Sequence, residues 1–182
     1  MNQIAMADVE IRTLGPSPAI RAVLSELLIE AVANGGSVSF MDPLPPDTAD
    51  KFWESALSAA ARGERIVLGA FDGDLLVGTV TLVLDLSQNQ PHRAEIVKMI
   101  TRISHRGRGV ATALLRRAES MALARGRTLL VLDTASDGGA APLYESVGFQ
   151  LAGEIPDYAF KPQGGLTGTK IYWKRLAATA AA

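Results

Sequence analysis

The chain has 182 residues, 48% hydrophobic and 20% charged, with 18 Lys and Arg against 19 Asp and Glu for a net charge of −1. That length suits one domain with a substantial core, and a slightly acidic whole argues against a nucleic-acid partner. The absence of Cys and the presence of only two His, His92 and His105, exclude disulfides, a thiol nucleophile and a multi-histidine metal site. No apolar run approaches membrane-spanning length and no signal-like core stands near the N-terminus, so a cytoplasmic protein with no membrane partner is expected.

In chain order, Val9 to Leu14 alternates as a short strand that Gly15 to Pro18 closes. Residues 19–33 carry Ile20, Val23, Leu24, Leu27, Leu28 and Ala31 as an apolar helical stripe, ended by Asn34-Gly35-Gly36. A loop from Ser37 to Pro46 bears Phe40 and Met41, large apolar residues that a loop does not need. Asp47 is expected to cap a helix over 49–61, with Gly63 after its end. Residues 65–71 and 75–86, joined by Asp72-Gly73-Asp74, predict a β-hairpin, and 93–103 a further strand. A helix from Val110 follows, with Leu114, Ala118 and Met121 sharing the face of Val110 and Gly126 as its stop. The run TLLVLDT, 128–134, predicts a strand buried on both faces. A short helix over 138–147 and strands at 149–154 and 169–174 complete one α+β domain, 1–176, built on a mixed sheet. An Ala-rich tail, 177–182, is expected to be disordered.

The stretch RISHRGRGVATALLRRAE, 102–119, poses a chemical question. A stable helix start carries Ser, Thr or Asp followed by Glu, whereas this one opens on Arg106-Gly107-Arg108-Gly109 with no acid in its first turn. Half of the basic residues lie between Pro91 and Arg127, opposed only by Glu95 and Glu119. Free amides at a helix N-terminus inside a positive field suit phosphate. The nucleotide P-loop is excluded because Gly109-Val110-Ala111 stands where Gly-Lys-Ser/Thr is required. The dinucleotide fingerprint fails at Thr112, where a third glycine belongs.

Arg106-Gly107-Arg108-Gly109-Val110-Ala111 matches R/Q-x-x-G-x-G/A and so resembles the coenzyme A pyrophosphate loop of the GNAT superfamily of N-acetyltransferases. Tyr144-Glu145-Ser146-Val147-Gly148-Phe149 resembles the Y-x-x-x-G-F of the same superfamily. Between Gly35 and Leu176 the stretches GGSVSFM, HRAEIVKM, LDTASDGGAAPLYESVGF and GEIPDYAFKPQGGLTGTKIYWKRL look like the tabtoxin-resistance acetyltransferases and their relatives. Ile103 and Thr101 depart from the Pro and Val common there. The resemblance implies the GNAT acyl-CoA N-acyltransferase fold, a mixed, mostly antiparallel sheet flanked by helices, and acetyl-CoA as co-substrate without a metal.

It also implies roles. Backbone groups of Met99, Ile100 and Thr101 would flank the acetyl group and pantetheine. Arg106, Gly107, Arg108, Gly109, Val110 and Ala111 would hold the pyrophosphate, and Tyr144 would protonate the departing thiolate. The base is open between Glu95 and Asp133, since a carboxylate within an apolar strand calls for a partner or a use. The alternatives are an ion pair with Arg93 or Lys98 for Glu95 and a loop cap for Asp133. Phe40, Met41, Trp53, Asp133, Asp157 and Tyr158 are candidate acceptor contacts. With no thiol nucleophile in the chain, direct transfer in a ternary complex to a small, amino-acid-like or toxin-like amine is expected. A protein or peptide lysine or N-terminal acceptor, and a non-catalytic acetyl-CoA sensor, are the alternatives, and a homodimer is left open.

Overall fold

The computed structural model describes residues 9–177. Its elements are β1 (Glu10–Leu14), α1 (Pro18–Ala33), α2 (Pro46–Ala61), β2 (Arg65–Asp72), β3 (Leu75–Val83), β4 (Arg93–Thr101), α3 (Val110–Ala124), β5 (Leu129–Ala135), α4 (Ala141–Ser146), β6 (Gln150–Phe160) and β7 (Leu166–Arg175), with a 3₁₀ turn at Ile103–His105. The strands form one sheet in the order β1-β2-β3-β4-β5-β7-β6, antiparallel throughout except for the β4–β5 pair. This is the mixed α+β architecture that the residue pattern predicts.

Each face of the sheet has its own core. Ala94, Ile96, Leu130 and Leu132 alternate onto the face covered by Leu114, Leu115 and Ala118 of α3, together with Tyr144 and Phe149. Leu24, Leu27, Leu28 and Trp53 of α1 and α2 pack on Val67, Leu76 and Ile100 of the other face. Trp53 is fully buried here, so it is a core residue and not an acceptor contact. Ser17 caps α1, its Oγ accepting from the Ile20 amide. Asp47 does not cap α2. The helix begins at Pro46, placing Asp47 in the first turn, where its charge opposes the positive helix end without a capping bond.

β5 is buried on one face only. Leu130 and Leu132 are buried, Leu129 and Val131 are half-buried, and Asp133 is exposed. No helix covers the second face of the C-terminal half of the sheet among the described residues, so the continuous apolar run over-predicts burial. β4 ends at Thr101, two residues earlier than its pattern suggests: the Arg102 amide still bonds Val77 O, its guanidinium turns to Glu30, and the chain then enters the 3₁₀ turn at Ile103–His105. The hairpin strand β3 ends at Val83 rather than Leu86. The largest departure is β6, which continues to Phe160 and pairs with β7 to the Phe160–Leu166 rung. Two register irregularities, at Leu151/Gly153 and Ile155/Ala159, interrupt its alternation and hide the strand from a period-two reading. The Ala-rich tail lies, apart from Ala177, outside the described residues.

Candidate active site

The site begins with a break in strand pairing. β4 and β5 run side by side only from Arg93–Leu129 to Glu95–Val131. Beyond Glu95, β4 stays on β3, but the ladder slips between Thr79 and Thr81, whose partners are Ile100 and Val97. The extra residue lies at Lys98, which adopts a left-handed φ of 53°. The alternation shifts with it: Ile96 and Met99 both reach the α3 side, whereas Ile100 joins the α1–α2 core. The strands therefore splay, and the β4 edge at 97–101 faces open space instead of β5.

A cavity of about 740 Å³ fills the splay. One wall is Ile96 to Thr101, the opposite wall is Asp133 to Ala135 with Tyr144, and residues 105–107 and 109–112 close one end. Met99, Ile100, Thr101, Arg106, Gly107, Gly109, Val110, Ala111 and Tyr144 all line it. Arg108 does not. Its guanidinium turns to Asp72, 3.8 Å away, on the β2–β3 turn.

Gly107 and Gly109 have φ of 72° and 82°, a backbone that L side chains rarely adopt. Gly109 occupies the cap position of α3 and contributes no side-chain bond. Ala113, bonded to Gly109 O at 3.0 Å, is the first α3 amide with a backbone acceptor among the described residues. The residues before it line the cavity end, at the positive pole of a fifteen-residue helix. Two anchors hold this turn. Glu30 of α1 receives Arg102 Nη1 at 2.7 Å and the Ile103 amide at 3.0 Å, and buried His105 Nε2 lies 3.3 Å from Asp72 Oδ2.

Tyr144 is buried but reaches the cavity, wedged against Phe149 and Tyr172 at ring separations of 6.0 and 6.1 Å. Burial first, and the charge of Asp133 second, push its phenol up to about 12, so it holds its proton throughout the neutral range. Asp133 Oδ2 accepts from Thr169 Oγ1 at 3.2 Å and lines the cavity. Glu95 is drawn to Arg93 Nη1 at 2.7 Å, the ion pair foreseen as its alternative. It lines a smaller hollow of about 260 Å³ that shares Ile96, Val97 and Asp133 with the main cavity and includes Tyr158.

Of the remaining candidates, Tyr158 lines the smaller hollow, whereas Phe40, Met41 and Asp157 line neither. Phe40 stacks edge-on with Phe52 at 5.3 Å, and Met41 and Tyr158 are 49% and 57% exposed. Asp157 sits on β6 with a left-handed φ of 51°. The Asp42 amide bonds Pro162 O at 2.9 Å, tying the loop after α1 to the tip of the β6–β7 hairpin. Sequence reasoning overlooked Lys98, Ser39, Glu30 and Asp72. No local pattern marks them, because a bulge, a loop and two distant elements bring them to the site. Among the described residues there is no cluster of three metal-ligating side chains, and no helix is long and apolar enough to cross a membrane.

The fold recurs in solved structures. YncA from Salmonella typhimurium, solved with its cofactor acetyl-CoA, is 21% identical over 95% of this chain and 96% of its own, with a TM-score of 0.76. A phosphinothricin acetyltransferase from Sinorhizobium meliloti, in complex with acetyl-CoA, is 20% identical over 96% and 92%, also at 0.76. A ribosomal-protein-alanine N-acetyltransferase from Brucella melitensis is 19% identical over 92% and 99%, again at 0.76. The profile of the acetyltransferase (GNAT) family matches residues 29–149, more than half of the chain, from the last turns of α1 through both motifs. With the splayed β4–β5 pair and the glycine turn at the head of α3, that match makes the chain a member of the GNAT acetyltransferase family.

Proposed function

We propose that the protein transfers the acetyl group of acetyl-CoA directly to the amine of a small molecule in a ternary complex. The observation that carries the reading is the continuity of one cavity, from the unpartnered amides at the head of α3 to Tyr144. The residues fit the co-substrate chemically. Amides of residues 107–112 suit a pyrophosphate, with Arg106 adding charge at the rim. The open edge of β4 at Met99 to Thr101 offers backbone donors to the thioester carbonyl, where negative charge develops.

Within that frame each side chain has one task. Asp133 takes the proton of the acceptor amine, and it suits this better than Glu95, which is committed to Arg93 outside the main cavity. Tyr144 gives its proton to the departing thiolate, and its raised pKa keeps that proton in place beforehand. Tyr158, on the hollow that adjoins Asp133, borders the acceptor, with Phe40 behind Lys98. A thiol-release assay with acetyl-CoA and a panel of small amines, run with Tyr144→Phe beside the wild type, tests the reading. Release on one amine class, reduced about 10²-fold or more in the variant, is the expected result. Acetyl-CoA binding without release on any amine would leave a peptide acceptor or a sensor in its place.

A further inference from the structure

We infer that Lys98 and Ser39 form an anion subsite at the acceptor end of the cavity, selecting amines that also carry a carboxylate, the α-amino-acid class. This rests on the acetyl-transfer reading and names its substrate. Three non-glycine residues of the described chain have a left-handed backbone, Ser39 at 74°, Lys98 at 53° and Asp157 at 51°. Two of the three line this cavity and touch each other, Lys98 Nζ donating to Ser39 Oγ at 3.1 Å. Such backbone is costly for an L residue and persists where the surroundings hold it for a purpose. The bulge in β4 turns Lys98 toward the cavity, and the loop after α1 delivers Ser39 to meet it.

The charge balance points the same way. Lys98 Nζ stands over the rings of Phe40 and Phe52 at 5.7 and 5.4 Å, a floor that removes water from one side of the ammonium. Among the described residues no carboxylate lies within ion-pairing distance of it. Burial accordingly holds its pKa below the usual lysine range, opposed by the more distant charge of Asp133. An ammonium has three donors, and Ser39 takes one. The others remain for an acceptor oxygen entering the cavity. Lys98 on β4 and Asp133 on β5 stand on opposite walls of the splay with opposite charges. An amino acid presents the matching pair, its ammonium for Asp133 and its carboxylate for Lys98.

The test compares kcat/KM for α-amino acids with that for their α-amides, in the wild type, Lys98→Met and Ser39→Ala. The subsite predicts that the wild type prefers acids, and that the acid-over-amide ratio falls about 10- to 100-fold in Lys98→Met and less in Ser39→Ala. A wild type without preference, or an equal loss on acid and amide, overturns the subsite while leaving acetyl transfer intact. So does a parallel loss of acetyl-CoA affinity, which would assign Lys98 to the cofactor. If Lys98→Met does not fold, Lys98→Arg, which keeps the charge but changes its shape, and Ser39→Ala carry the same ratio test. If no amine releases thiol, the transfer reading fails, and calorimetric titration of 2-hydroxy acids against their amides in the presence of CoA decides the subsite. Carboxylate-dependent binding that Lys98→Met removes supports it, and equal binding of acid and amide refutes it.

Discussion

Tyr144, Asp133 and Glu95 divide the proton chemistry according to what surrounds them. Tyr144 is a phenol surrounded by apolar side chains, and the ionised form is the one that burial penalises. Its protonated state is therefore the competent one at every pH below about 12, and no alkaline loss of rate in the working range is assigned to it. Above the ordinary tyrosine pKa the unfolded chain ionises first, so this burial costs stability only as pH climbs from about 10 towards about 12. The two carboxylates separate by partner. Asp133→Asn is expected to lower kcat about 10²-fold or more. Glu95→Gln, which loses only its bond to Arg93, should change kcat by a small factor at most. A larger effect from Glu95→Gln than from Asp133→Asn in steady-state kinetics would exchange their roles.

At the scale of elements, the position of α3 against β3 determines whether the amide cradle faces the splay. Gly78 permits that contact. A β-carbon at Gly78 would meet Val110 Cγ1 at 2.9 Å, Ile100 O at 3.0 Å and Leu114 Cδ1 at 3.2 Å. The two side chains can rotate, but Ile100 O belongs to the backbone of β4 and cannot yield without moving the strand. Gly78→Ala should cost about 1–3 kcal/mol in denaturant unfolding and also weaken acetyl-CoA binding, because Val110 opens α3. Unchanged affinity would show that the cradle tolerates displacement of the helix head. α3 and the β2–β3 hairpin were legible in the sequence because each carries a local signal, a 3.6-residue apolar period or a glycine turn between alternating runs. The sequence pattern makes β6 too short because its two irregularities break the alternation that marks a strand, and it misplaces the cap of α2, which is Pro45 with the helix starting at Pro46, three residues before the expected 49.

For the whole molecule, ligand and fold are coupled by mass action, since only the assembled cavity brings the α3 amides and the β4 edge together. Acetyl-CoA at about a hundred times its Kd should add about 2.7 kcal/mol of stability, read as a rise of several degrees in Tm. Gly109→Glu should lose that rise while keeping most of the unliganded Tm, because it fills the cradle and strains a φ of 82° without touching the core. A full acetyl-CoA shift in Gly109→Glu would remove the cradle from the reading. The sequence by itself determined the α+β class, the order of the elements, the anion-seeking turn at 106–111 and the absence of a cysteine nucleophile. These are properties of composition, period and short motifs, which neighbouring residues encode. The assembled fold adds that β4 and β5 part after Glu95, that Arg108 turns to Asp72, and that Lys98 meets Ser39 at the cavity. Those facts depend on which distant groups a bulge and a crossover bring within bonding distance, and no local stretch of chain carries that information.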